Sequence, residues 1–393
     1  MPHIKVKPFD TTIVEERIPQ SALLTFRAAA INRGDELWGV ELEGREFLLQ
    51  VKSYENDVLI KYDKVTRPLK VNLLKEALAR VADELGLEII ASNITQHKES
   101  RFASAYEKRI EDFYEIDFGK KKVSVEVGFG SGRHLLYQAR SHPDTLFIGL
   151  EIHTPSAQQV LKQIELQGLE NIWVVNYDAR LFMEMLPSNL LEQIFVHFPV
   201  PWDKKPHRRV IGPAFLAESM RVLRKGGRLE LRTDSENYFR YALETFFSVP
   251  KTYVEIRKNE ALEVTSKYEA RWLRMEKDIY DVHVKSLSDA NPRQPLPDFN
   301  FNIVKYRKGL EDTLPQEALV EEGYFVHIER LYKSGGTRLL VKCSFGSFDR
   351  PEHKYVLLEE GGCRYFASPP VKTSVNHKAH VKLMELLSNV KCD

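Results

Sequence analysis

Cysteine is scarce in this sequence. Only 3 cysteines occur among 393 residues, at Cys343, Cys363 and Cys392, and no two of them have the close spacing of metal ligands. This excludes a zinc ribbon and a small disulfide-stapled secreted fold, because both need several paired cysteines. We therefore expect reduced thiols in a cytoplasmic protein.

Excess charge and long apolar runs are also lacking. The 57 Lys and Arg residues nearly balance the 56 Asp and Glu residues, which leaves a net charge of +1. A polyanionic partner would therefore be bound by a local basic patch and not by a wholly cationic surface. No segment approaches the roughly 18 apolar residues of a membrane span. Residues 1–18 contain no apolar core of the signal-peptide type, so we expect a soluble protein.

The length of the chain predicts more than one domain, because 393 residues exceed what one core of the usual size holds. Alternating apolar and polar residues with a turn at Glu43-Gly44, followed by an amphipathic helix, predict a small α+β module at residues 1–100. Residues 286–300 contain three prolines and indicate a linker. Two further hairpins and a final helix predict a strand-rich module at residues 301–393.

Residues 101–285 have the pattern of an α/β domain. Short apolar runs alternate there with stretches long enough for a crossover helix, which is typical of a doubly wound parallel sheet. The five runs that we interpret as strands are VSVEVGFG, LFIGLEI, IWVVNYD, IFVHFPV and RLELRTD. The predicted fold class is thus α/β, with a Rossmann-like doubly wound sheet flanked by small strand-rich α+β modules.

The first of these runs leads into a glycine-rich loop. Gly128, Gly130 and Gly132 follow its apolar residues, and a helical pattern begins directly after them. Glycines at alternate positions let a backbone turn tightly and approach a ligand that a Cβ would block. The same pattern also fits a plain turn between a strand and a helix, so the loop indicates a ligand only together with the residues around it.

Three acids surround the loop. Glu151 ends the second run, where a carboxylate can accept both hydroxyls of a ribose, and Asp178 ends the third, where it can accept from an adenine amine. Glu126 lies inside the first run, where burial without a partner is costly, so it should face a cation or a ligand amine. A carboxylate beside the loop would repel the pyrophosphate of a dinucleotide but attract a sulfonium and an ammonium. S-adenosylmethionine therefore fits the loop better than NAD does.

A basic run follows the fourth predicted strand. The chain passes through two prolines to Trp202 and then to four cations, Lys204, Lys205, Arg208 and Arg209. Ligands of open α/β sheets collect at the carboxyl ends of the strands. Four cations at such an end predict contacts with nucleic-acid phosphates, with the tryptophan packing the loop or stacking near a base. For any single cation, an ordinary solvated charge is the alternative.

Taken in order, these motifs resemble the bacterial tRNA (guanine-N7)-methyltransferases. The segments that carry the resemblance are EVGFGSGRHLL, GLEIHTPS, NYDAR, FPVPWDKKPHRR, LRKGGRLELRTD and TSKYEARW. They span about half of the chain, roughly residues 101–284, and the flanking modules lie outside them. The resemblance implies a class I methyltransferase fold, S-adenosylmethionine as cofactor and tRNA as partner. The implied reaction is methylation of N7 of the variable-loop guanine, at tRNA position 46.

The resemblance also implies roles for individual residues. Those matching the cofactor-binding positions of the family are Glu126, Glu151 and Asp178, with the loop glycines Gly128, Gly130 and Gly132. Those matching the substrate-binding positions are Lys204, Arg208, Arg209, Asp234, Lys267 and Glu269.

One position departs from the family pattern. Where the family reads Pro-Asp-Pro-Trp, this chain has Val200 in place of the aspartate that is commonly given the catalytic role. N7 of guanine carries a lone pair and no proton, so its methylation needs alignment with the sulfur–methyl bond and no general base. The remaining task is to accept hydrogen bonds from the guanine edge, and the predicted catalytic residues for it are Asp234 and Asp203.

Two other interpretations follow from the same residues. A non-catalytic tRNA-binding protein could have lost its chemistry with the aspartate, but such a protein would not need three cofactor acids. A small-molecule methyltransferase or a dinucleotide oxidoreductase would not need the basic run. The role of the flanking modules, the preferred tRNA species and the oligomeric state, a monomer being one option, stay open at this point.

Overall fold

The structure is a computed structural model. It describes residues 2–32, 34–66, 71–94, 104–114, 116–261, 277–302, 304–348 and 350–388. The chain divides into two compact units, one formed by residues 1–101 together with 296–393 and the other by residues 102–295. Among the helices of the described ranges, none is long and apolar enough to cross a membrane.

The segment before residue 95 forms an antiparallel sheet backed by one amphipathic helix. Its elements are β1 (His3–Val6), α1 (Ile13–Arg17), β2 (Leu24–Ala30), β3 (Asp35–Leu42), β4 (Arg45–Ser53), β5 (Val58–Tyr62), α2 (Val71–Glu84) and β6 (Ile89–Ser92). Glu43 and Gly44 have φ angles of 52° and 67°, which suit a tight turn between twisted strands. The predicted hairpin at this turn is confirmed by the pairing of β3 with β4. Leu74, Leu78 and Val81 of α2 are buried in the core beneath the sheet.

Residues 102–295 form the α/β unit. Its elements are β7 (Glu107–Lys108), β8 (Lys122–Val127), α3 (Arg133–Ser141), β9 (Thr145–Leu150), α4 (Thr154–Leu166), β10 (Ile172–Val175), α5 (Ala179–Phe182), β11 (Leu191–His197), α6 (Pro213–Val222), β12 (Leu223–Thr233), α7 (Glu236–Phe247), β13 (Tyr253–Lys258) and β14 (Tyr280–Lys285). In the described residues these strands form one sheet in the order β13-β14-β12-β11-β8-β9-β10-β7. The five predicted strands are β8 to β12, and their parallel pairing is confirmed.

The sheet brings the ends of its parallel strands to one side. Val127 at the end of β8 lies opposite Leu150 at the end of β9, and Leu150 lies opposite Val175 at the end of β10. The order in which the strands are added to the sheet reverses at β8, with β9 on one side of it and β11 on the other. We call the side formed by the last residues of β8 to β12 the carboxyl edge. Open α/β sheets bind ligands at such an edge, next to the reversal point.

The last segment is strand-rich. Its elements are β15 (Leu319–Glu321), β16 (Tyr324–Ser334), β17 (Arg338–Gly346), β18 (Pro351–Glu359), β19 (Gly362–Phe366) and α8 (Ser374–Ser388). The two predicted hairpins are confirmed as the antiparallel pairs β16–β17 and β18–β19.

The two flanking segments, which the sequence describes as separate modules, form one unit. Strand β16 pairs with β2 through Tyr332 and Ala30, so the strands of both segments make one continuous sheet. A buried hydrogen bond from the Tyr355 hydroxyl to Asp63, 3.1 Å long, adds to this junction. The pairing covers two edge strands that would otherwise expose unpaired backbone groups. The first part of the predicted linker is bound to the α/β unit, since Asn189 donates to the carbonyl oxygen of Ala290 at 2.8 Å.

Candidate cofactor and substrate site

The glycine loop joins the end of β8 to the start of α3. The N–H of Gly128 donates to the carbonyl oxygen of Leu150 at 2.7 Å, which ties the loop to the end of β9. A Cβ added at Gly132 would lie 2.4 Å from Cγ2 of Val160 on α4. A Cβ added at Gly128 would meet no atom within 4 Å, and one at Gly130 only a loop oxygen at 4.0 Å. The loop is therefore closed against α4 but open at its first two glycines, where a ligand can approach the backbone.

Glu151 follows the last residue of β9, at the carboxyl edge. Its carboxylate accepts two backbone N–H groups, from Gly130 to Oε2 and from His153 to Oε1, each at 2.9 Å. These bonds hold the acid against the glycine loop. Each carboxylate oxygen has a second lone pair, so the paired hydroxyls of a ribose can still be accepted.

Asp178 follows β10 and caps helix α5. Its Oδ1 accepts the N–H of Arg180 at 2.9 Å, and its Oδ2 lies 2.8 Å from Nη2 of the same arginine. The acid therefore lies at the predicted edge with its charge balanced by its own helix. An adenine amine would share this carboxylate with Arg180.

Glu126 lies inside β8 and is only 3% exposed. Its Oε2 is 2.8 Å from Nδ1 of His134, in the first turn of α3. The sequence predicts a cation or a ligand amine beside this acid, and the structure places an imidazole there. The pairing gives the buried carboxylate the hydrogen-bond donor that it needs.

Together these residues fit S-adenosylmethionine. The ligand-accessible loop backbone lies beside two buried acids, Glu126 and Glu151. Their remaining lone pairs suit an ammonium or sulfonium charge and ribose hydroxyls. A pyrophosphate would instead meet the negative charge of Glu126.

The basic loop begins where β11 ends. The backbone turns at Phe198 and again at Trp202, which have φ angles of 50° and 47°. The guanidinium carbon of Arg208 lies 5.2 Å from the centroid of the Trp202 ring, a cation–π contact. Lys204 and Lys205 are exposed, as is Arg208. Three of the four predicted cations thus face solvent at the carboxyl edge, where phosphates can reach them.

Arg209 has a different environment from the one predicted. It is 7% exposed, and its Nε donates to the carbonyl oxygen of Pro201 at 2.6 Å. Its guanidinium carbon lies 5.1 Å and 4.7 Å from the ring centroids of Tyr238 and Tyr241 on α7. Enclosed by two rings and a loop carbonyl, and with its Nη2 3.4 Å from Oδ1 of Asp203, Arg209 fastens the basic loop to α7. A direct phosphate contact does not fit this enclosed guanidinium.

The two predicted catalytic acids also lie at the carboxyl edge. The Asp203 side chain is 52% exposed, and its Oδ1 is 3.5 Å from Nδ2 of Asn237 in the first turn of α7. Asp234 directly follows β12, and its Oδ2 lies 3.2 Å from Nζ of Lys277. Because Asp234 and Asn237 flank the start of α7, the two acids lie on the same side of the sheet. Val200, at the departure from the family pattern, is 61% exposed, so packing does not require a valine there.

Known proteins match most of this chain. Residues 120–282 match the family described as "Putative methyltransferase". Three bacterial relatives are named tRNA (guanine-N(7)-)-methyltransferase. The Wolinella succinogenes protein is 44% identical over 90% of this chain and 91% of its own. The Helicobacter pylori protein is 43% identical over 88% of this chain and 86% of its own. The Campylobacter jejuni protein is 38% identical over 98% of this chain and 98% of its own. The chain belongs to the tRNA (guanine-N7-)-methyltransferase family.

Membership in the tRNA (guanine-N7-)-methyltransferase family makes the protein an S-adenosylmethionine-dependent methyltransferase with a class I fold. The predicted fold class, enzyme class and cofactor are thereby confirmed. The shared length includes the flanking segments, because the Campylobacter jejuni relative matches 98% of the chain. Two of the predicted substrate residues, Lys267 and Glu269, lie outside the residues that the structure describes.

The protein also contains a layer of buried polar side chains on β11 and β12 that the sequence analysis did not predict. Glu230 on β12 accepts from Nε2 of His197 at 2.8 Å and from Nε2 of Gln193 at 2.9 Å. Burial alone would raise the pKa of Glu230, but the His197 hydrogen bond and the nearby positive charges lower it to about 2. Burial lowers the pKa of His283, whose Nε2 is 3.7 Å from Glu230. Polar residues at alternate positions of β12, at Arg228, Glu230 and Arg232, were the available signal, and the leucines between them hid it.

Proposed function

We propose that the chain transfers the methyl group of S-adenosylmethionine to N7 of guanine 46 in the variable loop of tRNA. The observation that carries the proposal is the match to tRNA (guanine-N(7)-)-methyltransferases over 90% of the chain. The site geometry supports it, because a fitting cofactor site and an exposed basic loop share the carboxyl edge. The reaction would take place in the cytoplasm, where the tRNA is.

The cofactor supplies an electrophilic methyl group. The glycine loop and Glu151 would bind its nucleoside part, with Asp178 near the base. Glu126 would face its positive charge. The role of these residues is to hold the methyl donor in one orientation, because alignment of the reacting atoms can account for about 7–11 kcal/mol of a barrier.

The guanine needs alignment more than activation. Its N7 attacks with an existing lone pair, so the protein has no proton to remove at that atom. Methylation leaves a positive charge on the purine ring, and a carboxylate at the N1 and N2 edge would stabilise it. Asp234 and Asp203 are the candidates, since both follow the ends of strands next to the cofactor site.

Loss of either carboxylate is expected to slow methyl transfer. We expect Asp234→Asn and Asp203→Asn each to lower the single-turnover rate roughly 10- to 100-fold if that acid contacts the base, the usual range for a hydrogen bond to a charged group. Asp144→Asn is the matched control, because Asp144 lies before β9, at the opposite edge of the sheet. Unchanged rates in both variants would exclude a carboxylate contact to the guanine.

Arg208 and Arg209 are expected to differ in how they affect tRNA binding. If Arg208 contacts a phosphate, Arg208→Ala should reduce the slope of log affinity against log salt by about 1. Arg209→Ala should instead lower the stability of the basic loop, because it removes the contacts with Tyr238 and Tyr241. The control is Arg140→Ala, an exposed arginine at the far end of α3. A slope unaffected by Arg208→Ala would remove Arg208 from the interface.

The position of the methylated base is tested with two transcripts. A tRNA transcript with guanine at position 46 should accept one methyl group, and the same transcript with adenine there should accept none. Equal incorporation into both transcripts would contradict the proposed site while leaving the methyltransferase activity intact.

A further inference from the structure

The cofactor acid Glu126 is one end of a buried row of four polar side chains. His134 bonds to Glu126, and His197 bonds to Glu230, with 2.8 Å between the nearest atoms in each pair. The two imidazoles are in contact, with their ring centroids 4.4 Å apart and their planes inclined at 51°. We call these four residues the imidazole row. None of their side chains is more than 9% exposed.

The partners of His134 determine where its proton lies. Its Nδ1 faces the Glu126 carboxylate, which can only accept, so Nδ1 must donate. Its Nε2 is 3.0 Å from Nε2 of Gln138, an amide nitrogen that donates. A neutral imidazole with its proton on Nδ1 satisfies both contacts. His134 therefore directs one N–H at one oxygen of the cofactor acid.

The surroundings fix the orientation of that N–H. Gln138 lies one turn along α3, and the Phe195 ring packs edge-on against the imidazole with centroids 4.8 Å apart. His197 covers it on another side. A ring held in this way cannot rotate freely, so the Glu126 carboxylate that it bonds is held as well. Partners of this kind orient a ligand-binding group without touching the ligand.

We propose that His134 is a positioning residue for S-adenosylmethionine. Its Nδ1–H fixes one oxygen of the Glu126 carboxylate and leaves the other lone pairs directed at the positive charge of the cofactor. This inference rests on the cofactor site and not on the identity of the methyl acceptor. It therefore makes a prediction about cofactor affinity that is separate from tRNA methylation.

The test is the dissociation constant of S-adenosylmethionine, measured by calorimetry on the full chain without tRNA. His134→Ala removes the donor and should weaken binding about tenfold, the usual effect of losing a hydrogen bond to a charged group. His134→Asn places an amide nitrogen as many bonds from Cα as Nδ1 is, and should bind within about threefold of the unmodified protein. His142→Ala, which changes an exposed histidine at the end of α3, should have no effect.

The pair of alanine and asparagine variants distinguishes positioning from packing. Equal weakening in both variants, or no weakening in either, would overturn the proposal. If His134→Ala does not fold, His134→Leu fills the same volume without a donor and replaces it in the comparison with His134→Asn. tRNA affinity should be the same in all variants. One outcome would contradict only the proposed function. In it, His134→Asn binds S-adenosylmethionine more tightly than His134→Ala does, but the unmodified protein does not methylate tRNA.

Discussion

Gly132→Ala is expected to lower the free energy of unfolding by about 2–5 kcal/mol. Gly132 has a φ angle of 70°, a conformation that costs an L-residue about 1–2 kcal/mol. The new Cβ would also lie 2.4 Å from Cγ2 of Val160, and overpacking of this kind typically costs about 1–3 kcal/mol. Relief of the clash would move the glycine loop away from α4, so S-adenosylmethionine binding should weaken as well.

Two controls separate the backbone term from the clash. Gly119 has a φ angle of 55°, and a Cβ added there would meet no atom within 4 Å. Gly119→Ala should therefore lower the free energy of unfolding by only about 1–2 kcal/mol. In a Val160→Ala background both Cγ atoms are gone, and the remaining Cβ is 3.4 Å away, so Gly132→Ala should cost less there. A cost for Gly132→Ala in the unmodified protein no larger than that for Gly119→Ala, or a cost that the Val160→Ala background does not reduce, would contradict the close contact with α4.

Arg232→Met is expected to destabilise the protein by about 3–5 kcal/mol, the usual cost of breaking a buried ion pair on one side. Arg232 and Asp281 are 1% and 2% exposed, and Nη1 of the arginine lies 2.6 Å from both carboxylate oxygens. Burial raises the pKa of Asp281 and Arg232 opposes that rise, so removal of the arginine leaves a buried carboxylate without its cation. Chemical denaturation of the full chain measures the loss.

The same arginine supports the substrate side of the site. Its carbonyl oxygen accepts the N–H of Phe198 at 2.7 Å, at the start of the basic loop. Its Nη2 donates to the carbonyl oxygen of Glu260 at 2.7 Å. Arg232→Met keeps the carbonyl oxygen but removes the bond to Glu260, which lies seven residues before the predicted substrate residue Lys267. We therefore expect it to reduce methylation more than S-adenosylmethionine binding.

A double variant and a surface variant complete the test of the ion pair. Arg232→Met with Asp281→Leu should recover much of the lost stability, because no charge is then left buried. Arg240→Ala, which breaks an exposed ion pair with Glu236, should change stability little. Equal effects of Arg232→Met and Arg240→Ala would show that the buried pair contributes no more than a surface pair.

The parallel strands of the α/β unit could be predicted from the sequence because each is a short run of apolar residues with polar or glycine residues at its ends. Strands β8 to β12 and the acids Glu126, Glu151 and Asp178 could be assigned from such local patterns. Strand β14 was missed because it carries Asp281 and His283 among its valines, and its polar side chains bury against β12. Tyr280, Val282 and Val284 do alternate with polar residues, but such alternation is typical of a strand with one solvated face, and here Asp281 and His283 are only 2% and 7% exposed.

Long-range contacts were the other feature that local patterns could not predict. Strand β2 pairs with β16 about three hundred residues later, and nothing near Ala30 or Tyr332 specifies that partner. An arginine in a basic run is typical of a phosphate contact. Tyr238 and Tyr241, on a helix about thirty residues later in the chain, enclose Arg209 instead. Three cations of the basic run are exposed as predicted, while the environment of the fourth depended on the tertiary structure.

We expect this chain to methylate N7 of a guanine in tRNA although Val200 stands where the family has an aspartate. The most direct test incubates the purified full chain with S-adenosylmethionine and unmodified tRNA transcripts, digests the RNA and measures 7-methylguanosine by mass spectrometry. We expect 7-methylguanosine in amounts that approach one per tRNA. Absence of that nucleoside, while the protein still binds S-adenosylmethionine and tRNA, would contradict the account.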